Sequence, residues 1–129
     1  MKTLLAFIAL SGSALAAPPE SFWRALHHVE SSSKHGAIKG DGGAALGGLQ
    51  IHRGYHKDSR VPGKYEQVAN LAYARKVAEA YFKRYAPEAW ERGDVVVLAR
   101  IHNGGPRGHH KAATLAYSRK VVAAMGGKR

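Results

Sequence analysis

The sequence predicts a mainly α fold of about five helices, with one short glycine-rich region of loop or strand after the first of them. Apolar residues return every three or four positions through two long segments, Glu20 to Val29 and Tyr65 to Tyr85, which is the spacing of a helix with one buried face. A third apolar run, Val95 to His102, follows an aspartate suited to capping a helix. The chain has no cysteine, so packing alone must hold it together, and that favours helices over a small loop-rich scaffold.

The ends bound the domain. Residues 1–16 read as an export signal: Lys2, an apolar run from Leu4 to Leu10, then Ala14-Leu15-Ala16 as a small-residue cleavage site. The run is far shorter than the roughly 18 to 20 residues a membrane span needs, so no transmembrane segment is expected after cleavage. Residues 17–129 are then one domain, expected to be secreted, extracellular or periplasmic, and monomeric. The formal charge of +11 draws such a protein to anionic surfaces, and export makes cell-wall polymers a better partner than nucleic acid, which is not expected.

Pro18-Pro19 leads into the first helix, whose apolar face is Phe22, Leu26 and Val29. It should stop near Ser31 to Ser33, where serines compete with the helical backbone and Gly36 offers a left-handed residue. Glu30 thus falls in the last turn. There the negative end of the helix dipole disfavours its anion, and burial against Val29 and Ile38 adds to this. Both favour the protonated form that a general acid needs, although a glutamate at a helix end is more commonly just solvated.

The next segment, Gly40-Asp41-Gly42-Gly43 to Gly47-Gly48, leaves little bulk around Asp41. It lacks the spacing and the Lys-Ser/Thr pair of a phosphate loop. Asp41 has two readings here, a second carboxylate beside a cleft or a turn residue bonding nearby amides. Ala44 to Ile51 fits either a short strand or a helix start.

His52 to Pro62 is polar and ends at a Pro62-Gly63 turn. Tyr65 to Tyr85 should be the central helix, with Val68, Leu71, Ala72, Ala78, Tyr81, Phe82 and Tyr85 inside. Glu88 to Arg92 makes one turn carrying Trp90, and Asp94 caps Val95 to His102, which Asn103-Gly104-Gly105-Pro106 ends. A basic helix from Lys111 to Met125 closes the chain, with Leu115, Val121, Val122 and Met125 as its expected inner face. His52 and His56, four apart, share a face if helical, but no H-E-x-x-H or cysteine pair accompanies them, so neither metal nor cofactor is expected.

VESSS at 29–33, GDGGAALGGLQI at 40–51, GYHKDS at 54–59 and ARIHNGGPRG at 99–108 together resemble, in order and spacing, the invertebrate-type lysozymes and their bacterial lysozyme-like relatives. The resemblance covers Trp23 to Val122 and implies a lysozyme-like fold with the glycine-rich region beside the cleft. It also implies cleavage of the β-1,4 bond between N-acetylmuramic acid and N-acetylglucosamine in peptidoglycan. Residue by residue, it implies Glu30 as catalytic acid and Asp41 as second carboxylate, with Gln50, Tyr55, His102 and Asn103 in motifs that line the sugar cleft. Animal members are rich in disulfides and this chain has none, which points towards a microbial relative. Two rivals stay open: a lytic transglycosylase using Glu30 alone, and a cationic protein that binds anionic bacterial envelopes without catalysis.

Overall fold

The computed structural model describes residues 17–126, so the export signal expected at 1–16 lies outside the described residues. Among the described residues there are six α-helices beside a minimal sheet: α1 (Glu20–Ser31), α2 (Arg53–Ser59), α3 (Leu71–Tyr85), α4 (Pro87–Arg92), α5 (Val95–Gly104) and α6 (Leu115–Gly126). The sheet is formed by β1 (Lys39–Gly40), β2 (Ala45–Leu46) and β3 (Ile51–His52), antiparallel and in chain order. Its register pairs Gly40 with Ala45 and Ala45 with His52. The apolar run after the glycines is therefore two strands joined by a turn.

The core forms where the helical stripes meet. Phe22, Leu26, Val77, Phe82, Leu98, Ile101 and Val121 are fully buried, drawn from α1, α3, α5 and α6. Phe22, Trp23, Phe82 and Trp90 pack ring against ring, with neighbouring centroids 5.4 to 6.4 Å apart. Each fully buried large side chain contributes roughly 1.5–3 kcal/mol, and aromatic pairs add to this. Packing on this scale does the work that disulfides do in small exported scaffolds.

Helix ends follow local chemistry. Asp94 caps α5 as expected, its Oδ1 accepting from Val97 N at 3.3 Å. α1 stops at the predicted serines, but Ser32 and Ser33 themselves take the left-handed conformation rather than Gly36 alone. The Ser32 and Ser33 amides then donate back to the carbonyls of His28 and His27.

Three expectations need correction. The polar stretch after His52 contains α2, which buries only Tyr55 and Ser59 and so left almost no apolar period to read. The long central helix is split: Tyr65–Ala69 is a 3-10 turn, Asn70 is extended, and its side chain accepts from Tyr73 N at 3.0 Å to begin α3. That cap wins over a continuous helix because an asparagine oxygen satisfies an amide that would otherwise be orphaned. Ala72 is accordingly exposed, and Ala74 and Val77 are buried in its stead.

The closing helix starts at Leu115, not Lys111, because Thr114 ties residues 108–114 into two 3-10 turns. Its hydroxyl bonds the carbonyls of Gly108 and Lys111, and Arg100 donates to it. Gly108 presses so close to α5 that a Cβ there would meet the Arg100 carbonyl at 2.0 Å. The inner face of α6 is Tyr117, Ser118, Val121, Ala124 and Met125, while Leu115 and Val122 face outward. Among the described residues no helix is long and apolar enough to cross a membrane.

The corrected face predicts opposite results for adjacent valines. Val121→Ala should cost on the order of 2 kcal/mol by urea denaturation, and Val122→Ala should stay within about 0.5 kcal/mol. Equal losses would mean that α6 is turned otherwise.

Candidate active site

Glu30 sits in the last turn of α1, where that helix packs on α6. Its side chain is 17% exposed, and both protein groups that reach it come to the same oxygen. Tyr117 of α6 donates its hydroxyl to Oε2 at 2.5 Å, and His102 Nε2 of α5 lies 3.4 Å from that atom. Oε1 has no hydrogen-bond donor among the described residues.

His102 is held from both sides. Nε2 is 3.0 Å from the Leu49 carbonyl, which can only accept, so Nε2 carries the proton. In the neutral ring Nδ1 then accepts from the Tyr55 hydroxyl at 2.8 Å. Tyr55 is stacked on Tyr81 with centroids 3.8 Å apart. Burial pushes the Tyr55 phenol well above its usual range, and the neighbouring Tyr81 and Glu30 add to this. Burial likewise drives the Tyr117 phenol far up, with the Glu30 charge and hydrogen bond reinforcing it. Tyr81 is pushed up to about 12, again mainly by burial. These phenols therefore stay protonated and act as donors across the physiological range.

Asp41 occupies the turn between β1 and β2, with φ of 53° and a side chain 68% exposed. His52 of β3 reaches it, Nε2 to Oδ2 at 2.9 Å. Sequence reasoning weighed His52 with His56 as a metal pair, but His56 bonds the Tyr73 hydroxyl instead. Gln50 clamps the hairpin from inside: Nε2 donates to the carbonyls of Ile38 and Gly47 at 3.2 and 2.9 Å. Gly40 leaves room for it, because a Cβ there would come within 1.9 Å of Gln50 Oε1 and displace the amide.

Glu30 and Asn103 share an open cleft of about 730 Å³, whose walls also carry His28, Tyr117 and Lys120. A separate recess on the hairpin side is lined by Lys39, His52, Arg53, Tyr65 and Glu66. Asp41 belongs with that side through His52. Of the residues expected at the sugar cleft, Asn103 is exposed at its wall. Tyr55 and His102 are buried behind Glu30, and Gln50 is committed to loop carbonyls. Tyr117 was missed. It is 87 positions from Glu30 on a helix whose expected inner face, Leu115, Val121, Val122 and Met125, left it out, and no local pattern marks it.

No protein-family model matches the chain. It is 35% identical over 106 residues to Lysozyme 1 of Crassostrea virginica, 78% of this chain and 56% of that protein. It is 36% identical over 97 residues to invertebrate-type lysozyme 2 of Caenorhabditis elegans, 66% of this chain and 70% of that protein. The chain thus spans little more than half of the oyster protein. The crystal structure of Tapes japonica lysozyme superposes with a TM-score of 0.72 at 26% identity, covering 88% of this chain and 99% of that one.

The Gln50 clamp predicts a coupled pair. Gln50→Ala and Gly40→Ala should each cost about 1–2 kcal/mol, because each loses the same two hydrogen bonds. In the Gln50→Ala background Gly40→Ala should be nearly neutral, since the clash is gone and the backbone at Gly40 is extended. Denaturation of the double-mutant cycle measures this, and strict additivity would refute it.

The buried tyrosines set the alkaline limit. Their folded pKa values are raised, so the stability they contribute is intact below about pH 10, where unfolded tyrosines ionise. It should fall as pH rises through the value near 12 of Tyr81. Denaturation across that window would show no such decline if the phenols were solvated.

Proposed function

Because the chain belongs to the invertebrate-type lysozyme family, we propose that it is a secreted lysozyme that hydrolyses the β-1,4 bond between N-acetylmuramic acid and N-acetylglucosamine in peptidoglycan. In this reading residues 1–16 are removed on export and residues 17–129 form the working domain. The observation that carries the reading is Glu30, a largely buried carboxyl in the wall of an open cleft, with one protein donor, Tyr117, on one of its oxygens. Such an arrangement suits a general acid, which must hold a proton next to the leaving oxygen.

A glycan strand lies along the cleft, and Glu30 gives its proton to the glycosidic oxygen as that bond breaks. Asn103 offers its amide to an acetamido or hydroxyl group of the sugar. Asp41 is the second carboxylate, stabilising the oxocarbenium-like transition state, attacking it or activating water, with His52 orienting it. Gln50, Tyr55 and His102 support these groups from behind. The charge of +11 raises the local concentration of an anionic wall.

One observation favours a second reading. Asp41 is exposed, paired with His52 and on the hairpin side, away from the walls that hold Glu30. A lytic transglycosylase needs only the acid, because the sugar's own hydroxyl completes the reaction and leaves a 1,6-anhydro product.

Digestion of purified peptidoglycan, with products read by mass spectrometry, tests both. Reducing-end muramic products are expected, and Glu30→Gln should lower their rate about 10²–10⁴-fold. Anhydro products would make the protein a transglycosylase. Binding of both proteins to the wall with no products from either would leave a cationic envelope binder.

A further inference from the structure

We propose that Tyr117 is a positioning residue for the acid: its hydroxyl, bonded to Oε2 of Glu30, confines the transferable proton to Oε1 and stabilises the carboxylate left after transfer. The inference rests on Glu30 being the general acid. It concerns one atom of that residue.

A carboxylic acid carries its proton on one oxygen, and an oxygen already accepting a hydrogen bond along that direction is the poorer site. Oε2 accepts from Tyr117 at 2.5 Å, and His102 Nε2, whose N–H goes to the Leu49 carbonyl, lies 3.4 Å from it. His102 cannot turn its bare nitrogen to Glu30, because Leu49 and Tyr55 hold both ring positions. The Tyr117 proton therefore points at Oε2, and the acid's own proton is left to Oε1. Without the phenol, rotation of the carboxyl group would let either oxygen carry it.

The transfer then balances. The Oε1–H bond breaks, the glycosidic oxygen gains the proton, and the negative charge spreads to Oε2. There Tyr117 already donates, and a hydrogen bond to a charged acceptor is stronger than one to a neutral acid. The phenol keeps its own proton throughout. Its burial between α6 and α1 makes it a poor acid, and the same burial makes its donation stronger.

Other groups around Glu30 bear on its titration. His28 of α1 and Lys120 of α6 line the cleft with it, and His102 and Tyr55 lie behind it. None of these donates to a Glu30 oxygen at a distance as short as that of Tyr117. Tyr117→Phe keeps the ring and removes the donor, leaving those neighbours in place.

The experiment follows the Glu30 side-chain carboxyl carbon by NMR through a pH titration in the unmodified protein and in Tyr117→Phe, alongside the pH dependence of peptidoglycan digestion. Losing a donor to the anion favours the protonated acid. The titration midpoint should rise by about one to two pH units, and the alkaline limb of the rate profile should rise with it. At the optimum kcat should fall about tenfold with KM little changed. If Tyr117→Phe does not fold, Tyr117→3-fluorotyrosine retains ring and hydroxyl and makes the phenol a stronger donor, so the midpoint should fall. An unmoved midpoint in the folded variant, with or without a lower melting temperature, makes Tyr117 a packing residue and overturns the proposal. A midpoint that moves in a protein that digests no wall leaves the positioning intact and removes the lysozyme reading.

Discussion

A hydrogen bond between residues 87 positions apart joins the first helix to the last. Tyr117 reaches across from α6 to the end of α1, where Glu30 would otherwise be a helix-terminal carboxyl in water. The contact depends on how α6 is turned, and that turn is set by Val121, Ser118 and Met125 packing inward. The late start of α6, imposed by the Thr114 hydrogen bonds, gives the helix its phase. The carboxyl is thus placed by packing at a distance, and its own neighbours in sequence do little to hold it.

The polar groups behind Glu30 are costly to bury and are fully used. His102 is within hydrogen-bond distance of Leu49 and Tyr55, and Tyr55 lies flat on Tyr81. A buried imidazole or phenol without a partner destabilises by a few kcal/mol, so each member holds the next in one orientation. The result is a fully hydrogen-bonded backing behind an open cleft. Such a backing stands behind the Glu30 carboxyl, with the Leu49 turn fixing the imidazole.

The hairpin solves a different problem. With only two residues in each strand, its ladder is too short to stand alone. Gln50 supplies what the ladder lacks by bonding two loop carbonyls, and Gly40 leaves room for it. Asp41 and His52 ride on this clamp as an exposed pair. In a chain without cysteines, a side-chain clamp here and an aromatic cluster in the core do the stapling.

The sequence by itself determined the mainly α class, the first helix and its serine stop, the Asp94 cap and Glu30 at a helix end. Each of these is written in neighbours no more than a few residues apart, where capping and the 3.6-residue period act. The resemblance carried by VESSS and IHNGGP added the lysozyme-like fold that the comparisons bear out. Tertiary structure alone decided the face of α6, the burial of Tyr55 and His102, and the Tyr117 contact with Glu30. In these, groups far apart in the chain compete for the same buried space and the same protons, and a local pattern holds no record of which partner wins.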